Sequence, residues 1–268
     1  MNLTNNNIIH ITSENIDYIQ FKKLLEYQDI ITHAYTLKHE KIYFGPNLSN
    51  NEYEENYSLL CNELNLDKNN IVRPNQHHTA NVQIISKKKT TSLEYNNDYL
   101  KETDGLITNK KDIILSTTNA DCILFLLFDP INKVVANVHS GWRGTLQEIV
   151  INTIIKMKEE YNSNPKDIIC CICPSIRKCH FETGKDVRDL FYNKYKYLPN
   201  INELIEEKGN KHHIDTVSLN KTLLLNIGLK EENIIDSNIC SVCNSNQINS
   251  YRIDKENYKL STAIITLK

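Results

Sequence analysis

The sequence predicts a single domain of the α/β or α+β class, built on a mixed β-sheet. Three observations predict it. Short runs of apolar, β-branched residues recur along the chain, with helical periodicities between them. No internal repeat or low-complexity linker divides residues 1–268, so one domain is expected over the whole chain. At that length one core buries roughly three quarters of the extended surface.

In chain order, helical patterns cover Ser13 to Tyr27 and Asn51 to Leu64. Strands follow at Asn81 to Ser86 and Asp112 to Thr117, with loops at the Asn/Lys-rich patches Asn96-Asn97 and Asn109 to Lys111. Ile123 to Phe128 (ILFLLF) is the longest apolar run. A membrane span needs about twenty such residues, so this is a buried strand. Lys133 to Val138 is its hairpin partner. From Thr145 to Tyr161, Leu146, Ile149, Val150, Thr153, Ile154 and Met157 share one helical face. A strand at Asp167 to Ile172, helices at Gly184 to Tyr195 and Ser218 to Leu229, and a strand at Ser261 to Leu267 complete the reading. His212-His213 sits in a polar run that reads as a solvated loop.

Net charge is −2, so the charge balance suggests neither a nucleic-acid partner nor an anionic membrane. The wealth of Asn, Ile and Lys reads as codon bias of an AT-rich genome. The N-terminus lacks a basic segment followed by an apolar one, so no secretory signal is expected and the compartment is cytoplasmic. Eight cysteines in such a compartment read as reduced thiols, mostly small buried apolar residues. Cys240-x-x-Cys243 has zinc-knuckle spacing, and Cys171 and Cys173 could complete a set of four. Free thiols remain the expectation there.

The stretch NVHSGWRGT, residues 137 to 145, holds the only Trp and two of only seven glycines. Upstream, Asp129-Pro130-Ile131-Asn132 suits a type I turn. Pairing Asp129 with Asn132 and reading back along both strands sets Cys122 opposite His139, with Cβ atoms about 5 Å apart. A thiol and an imidazole so placed can coordinate a metal, form a thiolate–imidazolium nucleophile, or pack. Gly141 and Gly144 allow a tight turn into a helix starting near Thr145. Its free N–H groups beside Arg143 would make an anion site. Arg252 could hold phosphate from another wall. A catalytic metal needs a third ligand. His77 and His78 are the candidates, and sequence physics does not choose between them.

Several motifs resemble one family in order: QHHTANV (76–82), DGLIT (104–108), ADC (120–122), HSGWRGT (139–145), CPSIRKCHFETG (173–184) and NSYRID (249–254). The chain is similar to the laccase-domain, or polyphenol oxidase, family of purine nucleoside phosphorylases. Cys173 stands where the family usually has Gly, and Thr79 likewise. The resemblance implies Zn2+ held by His78, Cys122 and His139, with Cys122 and Arg143 catalytic. It implies Gln76, Arg143, Ser250 and Arg252 at the substrate. It also implies a layered α/β/β/α-like fold around mixed β-sheets. The implied activity is phosphorolysis of adenosine, inosine, guanosine and methylthioadenosine, with adenosine deamination, so the implied partners are purine nucleosides and phosphate. Copper in the same His₂Cys set, as in a polyphenol oxidase, is the alternative. Metal-free hydrolysis by a Cys/His pair and a non-catalytic zinc-binding role are others.

Overall fold

The computed structural model describes residues 2–45, 48–87 and 100–268. The strands are β1 (Ile8–Ile11), β2 (Tyr18–Phe21), β3 (Ile31–Thr36), β4 (Ile71–Val72), β5 (Val82–Ile84), β6 (Gly105–Thr108), β7 (Ile114–Asn119), β8 (Ile123–Asp129), β9 (Val134–Ser140), β10 (Ile169–Ile172), β11 (Glu182–Thr183), β12 (Ile205–Lys208), β13 (Lys211–Ile214), β14 (Ile234–Asp236) and β15 (Ser261–Leu267). Two six-stranded mixed sheets carry the fold, in the orders β1-β2-β3-β15-β7-β4 and β14-β10-β8-β9-β6-β5. A small third sheet has the order β11-β13-β12.

Side-chain alternation explains the layers. In β8, Leu124, Leu126 and Phe128 face the first sheet, together with Val135 from β9 and Leu115, Ala263 and Ile265 from β7 and β15. The intervening Ile123, Phe125 and Leu127 face outward, under Ile149, Val150, Ile154 and Met157 of the helix Ile149–Tyr161. The helix Asn50–Glu63 covers the far face of the first sheet with Tyr53, Tyr57 and Leu60 against Ile114 and Ile264. The result is the α/β/β/α layering. A strand covered on both faces must be apolar throughout, which is why ILFLLF shows no alternation in hydrophobicity. Asn137, on the inner face of β9, ties the sheets together. Its amide donates to the carbonyls of Leu115 and Ala263 at 2.9 and 2.8 Å.

The β8–β9 hairpin departs from the expected register. Asp129 pairs with Val134, and Leu124, not Cys122, lies opposite His139. The Asp129 carboxylate accepts the N–H groups of Ile131 and Asn132, and Lys133 takes a left-handed φ of 52°. The loop therefore runs from Pro130 to Lys133, two residues longer than a tight turn. Because strand side chains repeat every second residue, a displacement of two leaves Cys122 and His139 on one face as diagonal neighbours.

Other expectations also change. The segment Ser13 to Tyr27 holds strand β2 and only a short helix, Lys22–Leu25. The single helix from Thr145 is two helices, Trp142–Leu146 and Ile149–Tyr161, separated where Glu148 adopts φ 59°. His212-His213 lies in β13, paired with β11 and β12; His212 is buried and His213 Nδ1 meets the Lys178 carbonyl at 2.8 Å. Asn96-Asn97 falls outside the described residues.

Candidate metal centre and active-site cavity

The site is organised by Asp104, which is fully buried at the entry to β6. Its carboxylate accepts the backbone N–H groups of His77, His78 and Thr79 and the Thr79 hydroxyl, at 2.7 to 3.2 Å. The QHHT loop thus wraps around one carboxylate. His78 adopts a left-handed φ of 60° as a result, and it is His78, not His77, that joins the cluster. Asp104 also meets His139 Nδ1 at 2.8 Å. This contact orients the ring and leaves Nε2 available, the carboxylate–histidine arrangement common at metal sites.

Cys122 is delivered by the preceding bend. Asp121 holds φ 81°. Its carboxylate accepts from the Ser241 hydroxyl and the Arg252 N–H, and its carbonyl accepts from Ile176 N–H. Cys122 Sγ lies 3.8 Å from His78 Nε2. The ligand atoms of His78, Cys122 and His139 all lie within 4.8 Å of one another. Two imidazoles and a thiolate at such separations fit a three-ligand zinc site with one open position.

Gly141 makes this convergence possible. A Cβ there would stand 2.4 Å from His78 Cδ2 and 3.3 Å from Cys122 Sγ. Gly141 is also the N-cap of the helix Trp142–Leu146, so one residue turns the chain and clears room for two ligands.

The three groups are strongly coupled. Burial works against a Cys122 thiolate, but the neighbouring His139 and His78 rings outweigh it and bring the thiol down to about 6. Burial likewise opposes the His139 cation, yet Cys122 and Asp104 raise it to about 10. Asp104 falls to about 2, because bonds from His139 and Thr79 outweigh its burial. Both shifts run in the direction that favours a thiolate–imidazolium pair.

The cluster opens on a cavity of about 430 Å³ whose lining includes Arg73, Gln76, Trp142, Phe181, Tyr251 and Arg252. Gln76 clasps the Thr118 backbone, accepting from its N–H and donating to its carbonyl at 2.8 Å each. Arg252 reaches the wall and donates to the Glu182 carbonyl at 3.2 Å. Ser250 is fully buried and is not part of the lining. Arg143 is exposed, with its guanidinium carbon 4.1 Å from the Trp142 ring centroid, and does not line the cavity. The helix whose N-terminus was expected to bind an anion is only five residues long. Sequence reasoning missed Arg73 and Asp104. Arg73 is buried over the Tyr53 ring and contributes to the lining. Asp104 lies within the DGLIT motif, where an acidic residue at a strand entry is its only local signal.

A carboxylate-oriented His₂Cys cluster on a cavity that also presents aromatic and guanidinium groups is a candidate active site able to hold a metal ion. Residues 45–268 match the family described as multi-copper polyphenol oxidoreductase laccase, and the chain belongs to that family. A protein named purine nucleoside phosphorylase from Bacteroides thetaiotaomicron is 31% identical over 198 residues, 74% of this chain and 73% of that protein. A protein named adenosine deaminase RL5, from an unknown prokaryotic organism, is 28% identical over 187 residues, 69% of this chain and 70% of that one. The fold is shared with Bacillus licheniformis hypothetical protein YfiH, at TM-score 0.87 and 22% identity over 97% of this chain and 99% of that chain. Among the described residues no helix is long and apolar enough to cross a membrane.

Proposed function

We propose that this chain is a zinc-dependent purine nucleoside phosphorylase. It would convert adenosine, inosine, guanosine or methylthioadenosine, with phosphate, to the free base and the corresponding ribose 1-phosphate, and would also deaminate adenosine. The observation that carries this reading is the convergence of His78, Cys122 and His139 on a cavity that also presents Arg73 and Arg252. The names of the related proteins, purine nucleoside phosphorylase and adenosine deaminase, support purine nucleosides as the substrate class.

Zinc held by His78, Cys122 and His139 would supply a Lewis acid and lower the pKa of a coordinated water toward neutrality. The chain's own groups do the rest. Two guanidinium groups suit a phosphate dianion, since planar cations bind it through paired hydrogen bonds. Trp142, Phe181 and Tyr251 offer aromatic faces on which a purine can lie. Phosphate would attack the anomeric carbon while the bond to the base nitrogen breaks, so fixing anion and sugar in line is the main task of the cavity. Asp104 holds His139 and the His78 loop rigid throughout. Thiolate chemistry needs a reducing compartment, and the reading places the enzyme in the cytoplasm.

Adenosine incubated with the protein and separated by chromatography tests this. Adenine should form only with phosphate and only with Cys122 intact, while inosine should form with or without phosphate. Unchanged adenosine under every condition would overturn it.

The family's description favours a second reading, copper-dependent oxidation of phenols. A blue-copper set adds a weak axial ligand, often Met. Met157 packs on the outer face of the second sheet, away from the cluster. Blue absorbance of the copper-loaded protein with oxygen uptake would establish the oxidase.

A further inference from the structure

A second group of metal-ligating side chains lies outside the candidate active site and shares no residue with it. Cys179 Sγ is 3.6 Å from Cys240 Sγ and 3.8 Å from Cys243 Sγ. His180 Nδ1 is 3.1 Å from the Cys179 sulfur, 3.7 Å from that of Cys240 and 3.5 Å from that of Cys243. All four ligand atoms lie within 4.8 Å of one another. Zinc binds sulfur at about 2.3 Å and imidazole nitrogen at about 2.0–2.1 Å in a tetrahedron. Those lengths separate two sulfurs by roughly 3.8 Å, and sulfur from nitrogen by roughly 3.5 Å. Five of the six separations match these to within a few tenths of an ångström, and the sixth, between Cys240 and Cys243, is within 4.8 Å.

We propose that Cys179, His180, Cys240 and Cys243 hold a structural zinc ion in a closed Cys₃His site. Three thiolates and one imidazole leave no open coordination position, which marks a structural role. The soft, sulfur-rich set selects zinc over magnesium or calcium. The proposal departs from the expectation of free thiols, and its partners differ from those considered from spacing. Cys171 and Cys173 are fully buried in the core between the sheets.

The backbone assembles the ligands before any ion arrives. His180 N–H and Phe181 N–H both bond to the Arg177 carbonyl, a tight turn that carries Cys179 and His180. Cys240 and Cys243 lie on one turn, closed by the Asn244 N–H bonding to the Cys240 carbonyl at 3.1 Å. Arg177 links the two limbs. Its guanidinium makes paired bonds to Asp236 at 2.8 and 2.6 Å and one to the Ile239 carbonyl at 3.1 Å. Ser175 and Cys240 add a bridge between the same limbs.

The ion would join ligands 60 residues apart in sequence, a cross-link that closes a long loop. Its position gives it a task. One limb carries Ile176 and Phe181, which line the cavity. The other carries Ser241, which holds the Asp121 carboxylate beside Cys122. The zinc clip therefore fastens the cavity wall without touching the reacting groups.

The test is metal counting on the purified full-length chain, by elemental analysis and native mass spectrometry. The Cys122→Ala variant should retain one zinc ion per chain, and the same variant with Cys179→Ser and Cys243→Ser should retain none. Cobalt reconstitution of Cys122→Ala should give a strong thiolate-to-cobalt charge-transfer band that the triple variant lacks. Should the triple variant fold poorly, thiol labelling of the intact protein decides. Cys179 and Cys243 should resist labelling until a chelator removes the ion. Loss of all zinc on Cys122→Ala alone would overturn the proposal. So would a metal-free Cys179–Cys240 disulfide, or full labelling before chelation. None of these readouts depends on nucleoside turnover, so this proposal and the phosphorylase reading can fail separately.

Discussion

Replacing Gly141 with Ala should weaken metal binding at the His78–Cys122–His139 centre while leaving the fold intact. The new Cβ would sit 2.4 Å from His78 Cδ2, whereas ordinary contacts begin at 3.4 Å, so the ring must retreat by about 1 Å. Gly141 has φ −68°, which Ala adopts without strain. Loss of unfolded-state freedom should favour Ala by about 0.4–1 kcal/mol. His78 is exposed and can swing outward, so the metal-free protein should be as stable as wild type or slightly more so. The metal-bound state, however, needs the ring in place. An overpacking cost of about 1–3 kcal/mol then falls on binding alone, an affinity loss of roughly 5- to 150-fold. Competition against a chromogenic chelator, in a Cys179→Ser/Cys243→Ser background, measures it. Thermal unfolding of the metal-free protein supplies the control. Wild-type zinc affinity in Gly141→Ala would refute the packing argument.

Asp104→Asn should reduce zinc affinity at the same centre by roughly 10- to 100-fold, measured in the same competition, because His139 and the His78 loop lose their common anchor. Asp104 is depressed from 3.8 to about 2. Its contribution to stability is therefore complete above about pH 5 and is lost as pH falls through about 2. Acid unfolding of metal-free Asp104→Asn should lack that part of the wild-type decline. In metal-free protein, Cys122 alkylation by iodoacetamide should reach half its maximal rate near pH 6, not near the ordinary thiol value of 9; a midpoint near 9 would refute the His139–Cys122 coupling. Arg252→Ala should raise the KM for phosphate roughly tenfold or more, from the loss of a charged hydrogen bond, while exposed Arg143→Ala should change it by less than about twofold. The reverse ranking in steady-state kinetics would return the anion role to Arg143. Met157→Ala, in the core between the second sheet and its covering helix, should cost about 2–5 kcal/mol of stability in denaturant titrations, with zinc affinity unchanged.

Sequence by itself determined the local, periodic features. The strand β15, the doubly buried run in β8 and the helices over Asn50–Glu63 and Thr216–Asn226 were legible within a residue or a few of their ends, because burial writes a period of 2 or 3.6 into neighbouring residues. The motifs around Cys122 and His139 were legible for the same local reason: a Gly-Trp-Arg-Gly turn is conspicuous in a chain with seven glycines and one Trp. Tertiary structure decided what depends on distant partners. The QHHTANV resemblance already pointed to His78; what the fold adds is Asp104, 26 residues on, whose carboxylate holds that loop's backbone. The β8–β9 register was set by a side-chain cap and one left-handed residue, which no hydrophobic pattern records. Arg143 was drawn to the Trp142 face, leaving Arg73 and Arg252 at the cavity. The side chains beside Cys240 and Cys243 are those of Cys179 and His180 rather than Cys171 and Cys173. In each case the deciding term is a contact between segments far apart in the chain, whose energy is absent until the fold brings them together.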